Sequence, residues 1–231
     1  MKKHNPFSVL TKFEWGLWLF SLLAVSLSYF LADGGSILNT IASLIGVTAL
    51  IFLAKGAWQG QVLVIVFATF YGIISFYFRY YGEMITYLGM TLPLAVISLI
   101  SWIRHPYKDS GEVATGRLTR KQLILMSLLT VAVTAAFYFI LRALHTANLA
   151  VSTLSIATSF AAAFLTVCRS PYYALGYAVN DLVLIALWLL AAVEDISYLP
   201  MVVCFVMFLF NDTYGFINWR RMQRRQERDP H

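Results

Sequence analysis

Charge is scarce in this chain. Charged residues make up 12% of its 231 residues, about half the ~25% of an ordinary soluble domain. So little charge cannot coat a water-facing surface. That excludes a soluble enzyme, a disordered tail and a nucleic-acid-binding module. Cysteine is nearly absent: Cys168 and Cys204 both sit in apolar runs and supply no disulfide framework. The histidines, His4, His105, His145 and His231, lie in tails or at the ends of apolar runs. None is paired at metal-ligand spacing. No Gly-x-Ser-x-Gly, Cys-x-x-Cys or phosphate-binding glycine loop is present. No enzymatic activity, ATP hydrolysis or cofactor is expected. What the chain has in excess is apolar, at 60% of residues, and aromatic, at 16%. These values describe an all-α, polytopic membrane protein.

A spanning helix needs about 20 mainly apolar residues. Eight stretches qualify: 13–31, 36–54, 59–79, 83–103, 121–144, 149–168, 172–193 and 197–219. The first carries Glu14, Trp15 and Trp18 near its start and has an interfacial alternative. With eight spans, fifteen of the seventeen Lys and Arg fall on the side of the N-terminus, and only Arg79 and Arg142 fall on the other. The outer turns carry Asp33, Glu83, Glu194 and Asp195 instead. This positive-inside bias predicts that both termini are cytoplasmic, the N-terminus on condition that the first segment spans. The stretch 104–120 reads as a cytoplasmic linker. The tail from Arg220 reads as a basic topology anchor against anionic headgroups.

A short repeat divides the chain. Residues 83–90, Glu-Met-Ile-Thr-Tyr-Leu-Gly-Met, match 194–201, Glu-Asp-Ile-Ser-Tyr-Leu-Pro-Met, at five of eight positions. Each opens a helix that later reaches a Trp-x-Arg, Trp102 with Arg104 and Trp219 with Arg221. The expected architecture is therefore 3+1+3: a three-helix unit at 36–103, a loop and linker helix at 104–144, and a second, parallel three-helix unit at 149–219. An extra N-terminal helix occupies 1–35, and a basic tail 220–231.

Ionisable groups inside a bilayer are costly and face protein interiors or water. Only Asp181 and Asp212 lie well within apolar stretches, and no Lys or Arg lies comparably deep. Two buried carboxyls without a basic partner are either protonated or satisfied by something cationic or polyhydroxylated. Asn180-Asp181 is followed seven residues later by Trp188, and Asn211-Asp212 by Trp219, so each Asp shares a helix face with its Trp. Amides and carboxylates at that depth suit sugar hydroxyls or a carboxamide. An aromatic face suits a heterocycle or a cation. The structural alternatives are helix-to-helix bonding for the Asn residues and aromatic-belt roles for Trp188 and, above all, Trp219. In the first unit, Tyr71 and Ser75 share a face and stand as partners across the pseudo-two-fold. Gln59 and Gln61 open span three and line an inner mouth, and Pro93 is positioned to kink span four.

Three motifs together are similar to the PnuC family of nicotinamide riboside transporters. They are Tyr173-Ala-Leu-Gly-Tyr-Ala-Val-Asn-Asp181 running on to Trp188, Asn211-Asp-Thr-Tyr-Gly-Phe-Ile-Asn-Trp219-Arg, and Arg79-Tyr-Tyr-Gly-Glu-Met-Ile-Thr-Tyr87-Leu-Gly-Met-Thr-Leu-Pro93. The likeness covers roughly 36–221. It implies a SWEET-like fold in the bacterial inner membrane and facilitated diffusion of a vitamin precursor, trapped by cytoplasmic phosphorylation. It also implies a homo-oligomer, a trimer. The candidate substrate-binding set is Asn180, Asp181, Trp188, Asn211, Asp212, Tyr71, Ser75 and, from the second motif, Tyr214. Nicotinamide riboside brings a pyridinium cation, a carboxamide and a ribose to that set. Thiamine is also cationic, and relatives are assigned to it or to riboflavin. A vitamin-binding subunit of a separate ATPase is a further alternative.

Overall fold

A computed structural model of the chain describes residues 6–31, 37–77 and 81–229. Asp33 and Arg79 lie outside the described residues. Within them the chain folds as helices: α1 (Lys12–Leu31), α2 (Ile37–Ala54), α3 (Trp58–Tyr77), α4 (Tyr81–Thr86), α5 (Leu92–Arg104), α6 (Arg120–Ala143), α7 (Leu149–Val167), α8 (Tyr172–Glu194) and α9 (Leu199–Arg228). Seven segments of the described chain are long and apolar enough to cross a membrane, and the apolar part of α2, Thr40–Ala54, is a little shorter. Helices suit this setting because they satisfy every backbone group internally where no water can.

One of the seven segments is composite. α4 and α5 join through a π turn at Tyr87–Thr91. Pro93 has no N–H to offer the carbonyl four residues back, and its ring crowds that carbonyl. The helix widens there into a π turn, which turns Met90 inward, where it is 5% exposed.

The N-terminal helix is fixed by its first turn. Thr11 N donates to Glu14 Oε2 at 2.6 Å, and Glu14 N donates to Thr11 Oγ1 at 3.3 Å. That reciprocal pair is a capping box. Glu14 is 1% exposed. It also pairs with Lys55 Nζ at 3.2 Å and accepts the Tyr214 hydroxyl at 2.5 Å. One carboxylate thereby ties α1 to the α2–α3 turn and to α9. Trp18 Nε1 donates to Thr48 Oγ1 at 3.1 Å farther along. α1 thus packs along α2 and α9 and is long and apolar enough to cross a membrane. Glu14→Ala should destabilise the protein by about 2–3 kcal/mol, because it strands a buried hydroxyl and an ammonium. Thermal unfolding in detergent is the measurement, and an unchanged midpoint would mean the network carries no net stability.

The two ends of the bundle differ. One, the basic end, gathers the start of α1, the α2–α3 and α7–α8 turns, the 105–119 segment and the last turns of α9. There α2 and α7 stop in the same way. Gly56 N bonds Leu53 O at 2.9 Å and Ala57 N bonds Phe52 O at 3.0 Å; Arg169 N bonds Thr166 O at 3.0 Å and Ser170 N bonds Leu165 O at 3.0 Å. Both are Schellman stops with a left-handed residue, Gly56 at φ 67° and Arg169 at φ 56°.

At this end the linker segment and the end of α9 pack together. α9 does not stop near 219 but continues to Arg228. The 105–119 segment is strapped onto it. Gln226 accepts from Thr115 N at 2.8 Å and donates to Val113 O at 3.1 Å. Arg225 pairs with Glu112, Arg117 with Glu227 and Lys108 with Asp229. The strap also reaches both turns, through Val113 N to Gly56 O and Gly116 N to Arg169 O, each at 2.9 Å. It crosses so close that a Cβ on Gly116 would sit 2.1 Å from the Cys168 carbonyl oxygen. Opposite charges on strap and tail, invisible in a count of basic residues, hold the strap against the helix.

Candidate functional site

A cavity of about 180 Å³ runs through the middle of the bundle, room for far more than one water. Its deepest feature is a carboxyl pair. Asp181 from α8 and Asp212 from α9 are 2% and 4% exposed, and their side chains interact directly. Asn180 joins them in the wall, its Oδ1 accepting the Thr158 hydroxyl of α7 at 2.7 Å. Among the described residues no Lys, Arg or His lines the cavity. Two buried atoms in the wall have no partner there: Asp181 Oδ2, an acceptor, and Gln61 Nε2, a donor. Buried polar atoms are paired in more than nine cases in ten, so these two mark where a ligand's own polar groups fit.

The far end of the cavity holds a third acid. Glu83 lines it and accepts a hydrogen bond from the Tyr71 hydroxyl. The Tyr71 ring lies 4.5 Å from that of Tyr87 across the π turn. The sequence placed Glu83 in an outer turn. It is drawn inward because α4 begins two residues before it and packs against α3. Hydroxyls complete the wall: Ser152, Ser155, Ser159 and Thr166 form a stripe along α7, facing Ser98 of α5. Their spacing, three, four and seven residues, is a helix-face signal readable in the sequence.

The expected site residues divide. Asn180, Asp181 and Asp212 meet at the cavity. Tyr71 reaches it through Glu83, while Ser75 is buried outside the lining residues. Trp188 packs 5.6 Å from Tyr198, against the Tyr71 cluster. Asn211 turns the other way and donates to Ser21 Oγ of α1 at 3.0 Å. Adjacent residues on a helix point about 100° apart, and on α9 that turn puts Asp212 toward the cavity and Asn211 toward α1. Tyr214 faces α1 as well, bonded to Glu14, and is no part of the cavity wall. Gln61 lines the cavity; Gln59 does not appear in its wall.

Trp219 is not an aromatic-belt residue. It is 0% exposed and stands 5.2 Å from Trp102, itself 1% exposed. Together with Tyr173 and Leu53 they form a solid core that seals the cavity at the basic end.

A bundle of membrane-length helices around an acidic, hydroxyl-lined cavity belongs to a carrier of small molecules, and comparison with known proteins says which kind. The family model described as nicotinamide mononucleotide transporter matches residues 36–221. This chain belongs to the PnuC family of membrane transporters. It is 28% identical over 229 residues to the nicotinamide riboside transporter PnuC of Neisseria mucosa, covering 96% of this chain and 86% of that protein. It is 24% identical over 211 residues to that of Haemophilus influenzae, covering 90% of each. The crystal structure of the vitamin B3 transporter PnuC superposes with a TM-score of 0.78 at 25% identity, over 94% of both chains. The PnuC likeness extends through α1, beyond the span of the family model.

Proposed function

We propose that this protein carries nicotinamide riboside across the bacterial inner membrane by facilitated diffusion, through alternating access of the central cavity. The observation that supports the substrate best is the wall itself: three carboxyl groups, Glu83, Asp181 and Asp212, and no basic side chain among the described residues. A pyridinium cation gains from such a wall. The unpartnered Gln61 amide and Asn180 suit the carboxamide, and the α7 hydroxyl stripe suits the ribose. A mononucleotide would set its phosphate against the same carboxyls, so the dephosphorylated nucleoside is the better fit.

The architecture we infer is 3+1+3: units at 36–103 and 149–219 joined by α6, with α1 added. The matched Schellman stops of α2 and α7 support it. The basic end faces the cytoplasm, by the positive-inside bias. A kinase there traps the product, and the carrier works as a homotrimer.

Proteoliposomes containing the purified protein should take up labelled nicotinamide riboside saturably and leave the mononucleotide outside. Absence of saturable uptake rejects the proposal. Stronger competition by thiamine or riboflavin than by unlabelled nicotinamide riboside would move the substrate to that vitamin. Uptake by the chain alone separates a carrier from a binding subunit of an ATPase.

Glu83→Gln should weaken nicotinamide riboside binding about three- to tenfold, the scale of one partly hydrated charge contact. Titration calorimetry measures it, and unchanged affinity would place Glu83 outside the binding surface.

A further inference from the structure

At the basic end, the last two carbonyls of α2 and of α7 are satisfied by side chains from opposite parts of the chain, in a crossed pattern. Ser101 Oγ of α5 donates to Val167 O at 2.9 Å, and Trp102 Nε1 donates to Thr166 O at 3.0 Å. Asn218 Nδ2 of α9 donates to Ala54 O at 2.9 Å, and Trp219 Nε1 donates to Leu53 O at 2.8 Å. α5 thus caps α7, and α9 caps α2. Leu53 O and Thr166 O also accept the Gly56 and Arg169 amides, so the indoles add a second bond there. Asn218 and Ser101 serve the final carbonyls, Ala54 O and Val167 O, which are costly to leave bare inside a membrane protein. The two indoles meet at 5.2 Å, and Tyr173 stands 4.8 Å from Trp219.

This plug lies directly beyond the cavity. Leu53 and Thr166, whose carbonyls accept the indoles, also line the cavity, as does Ser98, one helical turn before Trp102. Asp212 precedes Trp219 by two turns on the same face. Among the described residues nothing at the far end is closed in this way. There the cavity reaches Gly82 and Thr146 at the helix ends. The structure is therefore sealed toward the basic end.

We propose that the Ser101–Trp102 and Asn218–Trp219 pairs are the gate at the basic end of the transport path: its four crossed hydrogen bonds must part for the cavity to open on that side. This rests on the carrier reading. The physical reason for a gate rather than a permanent core is its composition. Each bond joins a side chain to a carbonyl of another helix, so the helices separate without unwinding, and water entering the opened mouth can hydrate the freed carbonyls. The strap over both turns, held by Gln226 and by ion pairs, closes over the gate from outside.

The test reads access from each side. In a chain with Cys168 and Cys204 changed to serine, Ser98→Cys reports on the cavity through labelling by a membrane-impermeant maleimide in sealed vesicles of known orientation. Trp102→Phe with Trp219→Phe keeps the aromatic packing and removes both indole donors. Labelling from the basic side should rise about tenfold or more, the population shift expected from losing two hydrogen bonds of the closed state. Labelling from the far side should fall. Ser101→Ala with Asn218→Ala removes the other two bonds, spares the large buried rings, and should give the same direction. Unchanged basic-side labelling in both folded double variants would overturn the proposal. Calorimetry with nicotinamide riboside on the same proteins separates the two readings. Altered access without any binding would keep the gate and remove the substrate.

Discussion

Asp181→Asn is expected to weaken nicotinamide riboside binding about 30- to 150-fold. The substitution keeps size and shape and removes a group able to carry negative charge. Asp181 is almost fully buried, its Oδ2 has no partner among the described residues, and no basic side chain lines the cavity. A hydrogen bond or close contact to a charged group at such a site contributes about 2–3 kcal/mol, which gives that factor in Kd. The reduced, uncharged dihydronicotinamide riboside is the control. Its affinity should change little, because it lacks the cation that Asp181 faces. Calorimetry on wild type and variant with both compounds decides. Equal losses for both compounds would mean that the variant distorts the cavity, and no loss for either would remove Asp181 from recognition.

Trp219→Ala is expected to be the most damaging single change to stability, about 3–5 kcal/mol. The side chain is fully buried, touches Trp102 and Tyr173, and donates to the Leu53 carbonyl. Its removal leaves a cavity and takes one of two donors from the Leu53 carbonyl, which keeps the Gly56 amide. The protein should lose its monodisperse peak on size exclusion or unfold at much lower temperature. Trp188→Ala makes the contrast, since that ring is only partly buried beside Tyr198. If Trp219→Ala were as stable as Trp188→Ala, the core at the basic end would be far looser than its packing implies.

Much of the molecule is written in local pattern. The eight apolar stretches, the break at Pro93 and the depth of Asp181 and Asp212 follow from run lengths, a missing backbone donor and the rarity of acids in apolar helices. Those properties belong to single segments, so one sequence suffices to read them. Asn211, Tyr214 and Trp219 illustrate what a single segment cannot give. All three sit on α9 within nine residues, each near a carboxylate in the chain. Yet Asn211 and Tyr214 face α1 and Trp219 faces Trp102, while Asp212 alone turns to the cavity.

Composition and periodicity alone determined that this chain is a helical membrane protein with two deep acids and no basic partner at their depth. Which side chains meet was decided only by the packed bundle. A helix presents a different face every 100°, and the helices that surround it, α1 and α2 on one side and α5 and α8 on another, choose among those faces. Glu83, separated from Asp212 by four helices in the chain, lines the same cavity for that reason, and the basic tail packs against a strap whose acids and amides come from a hundred residues earlier.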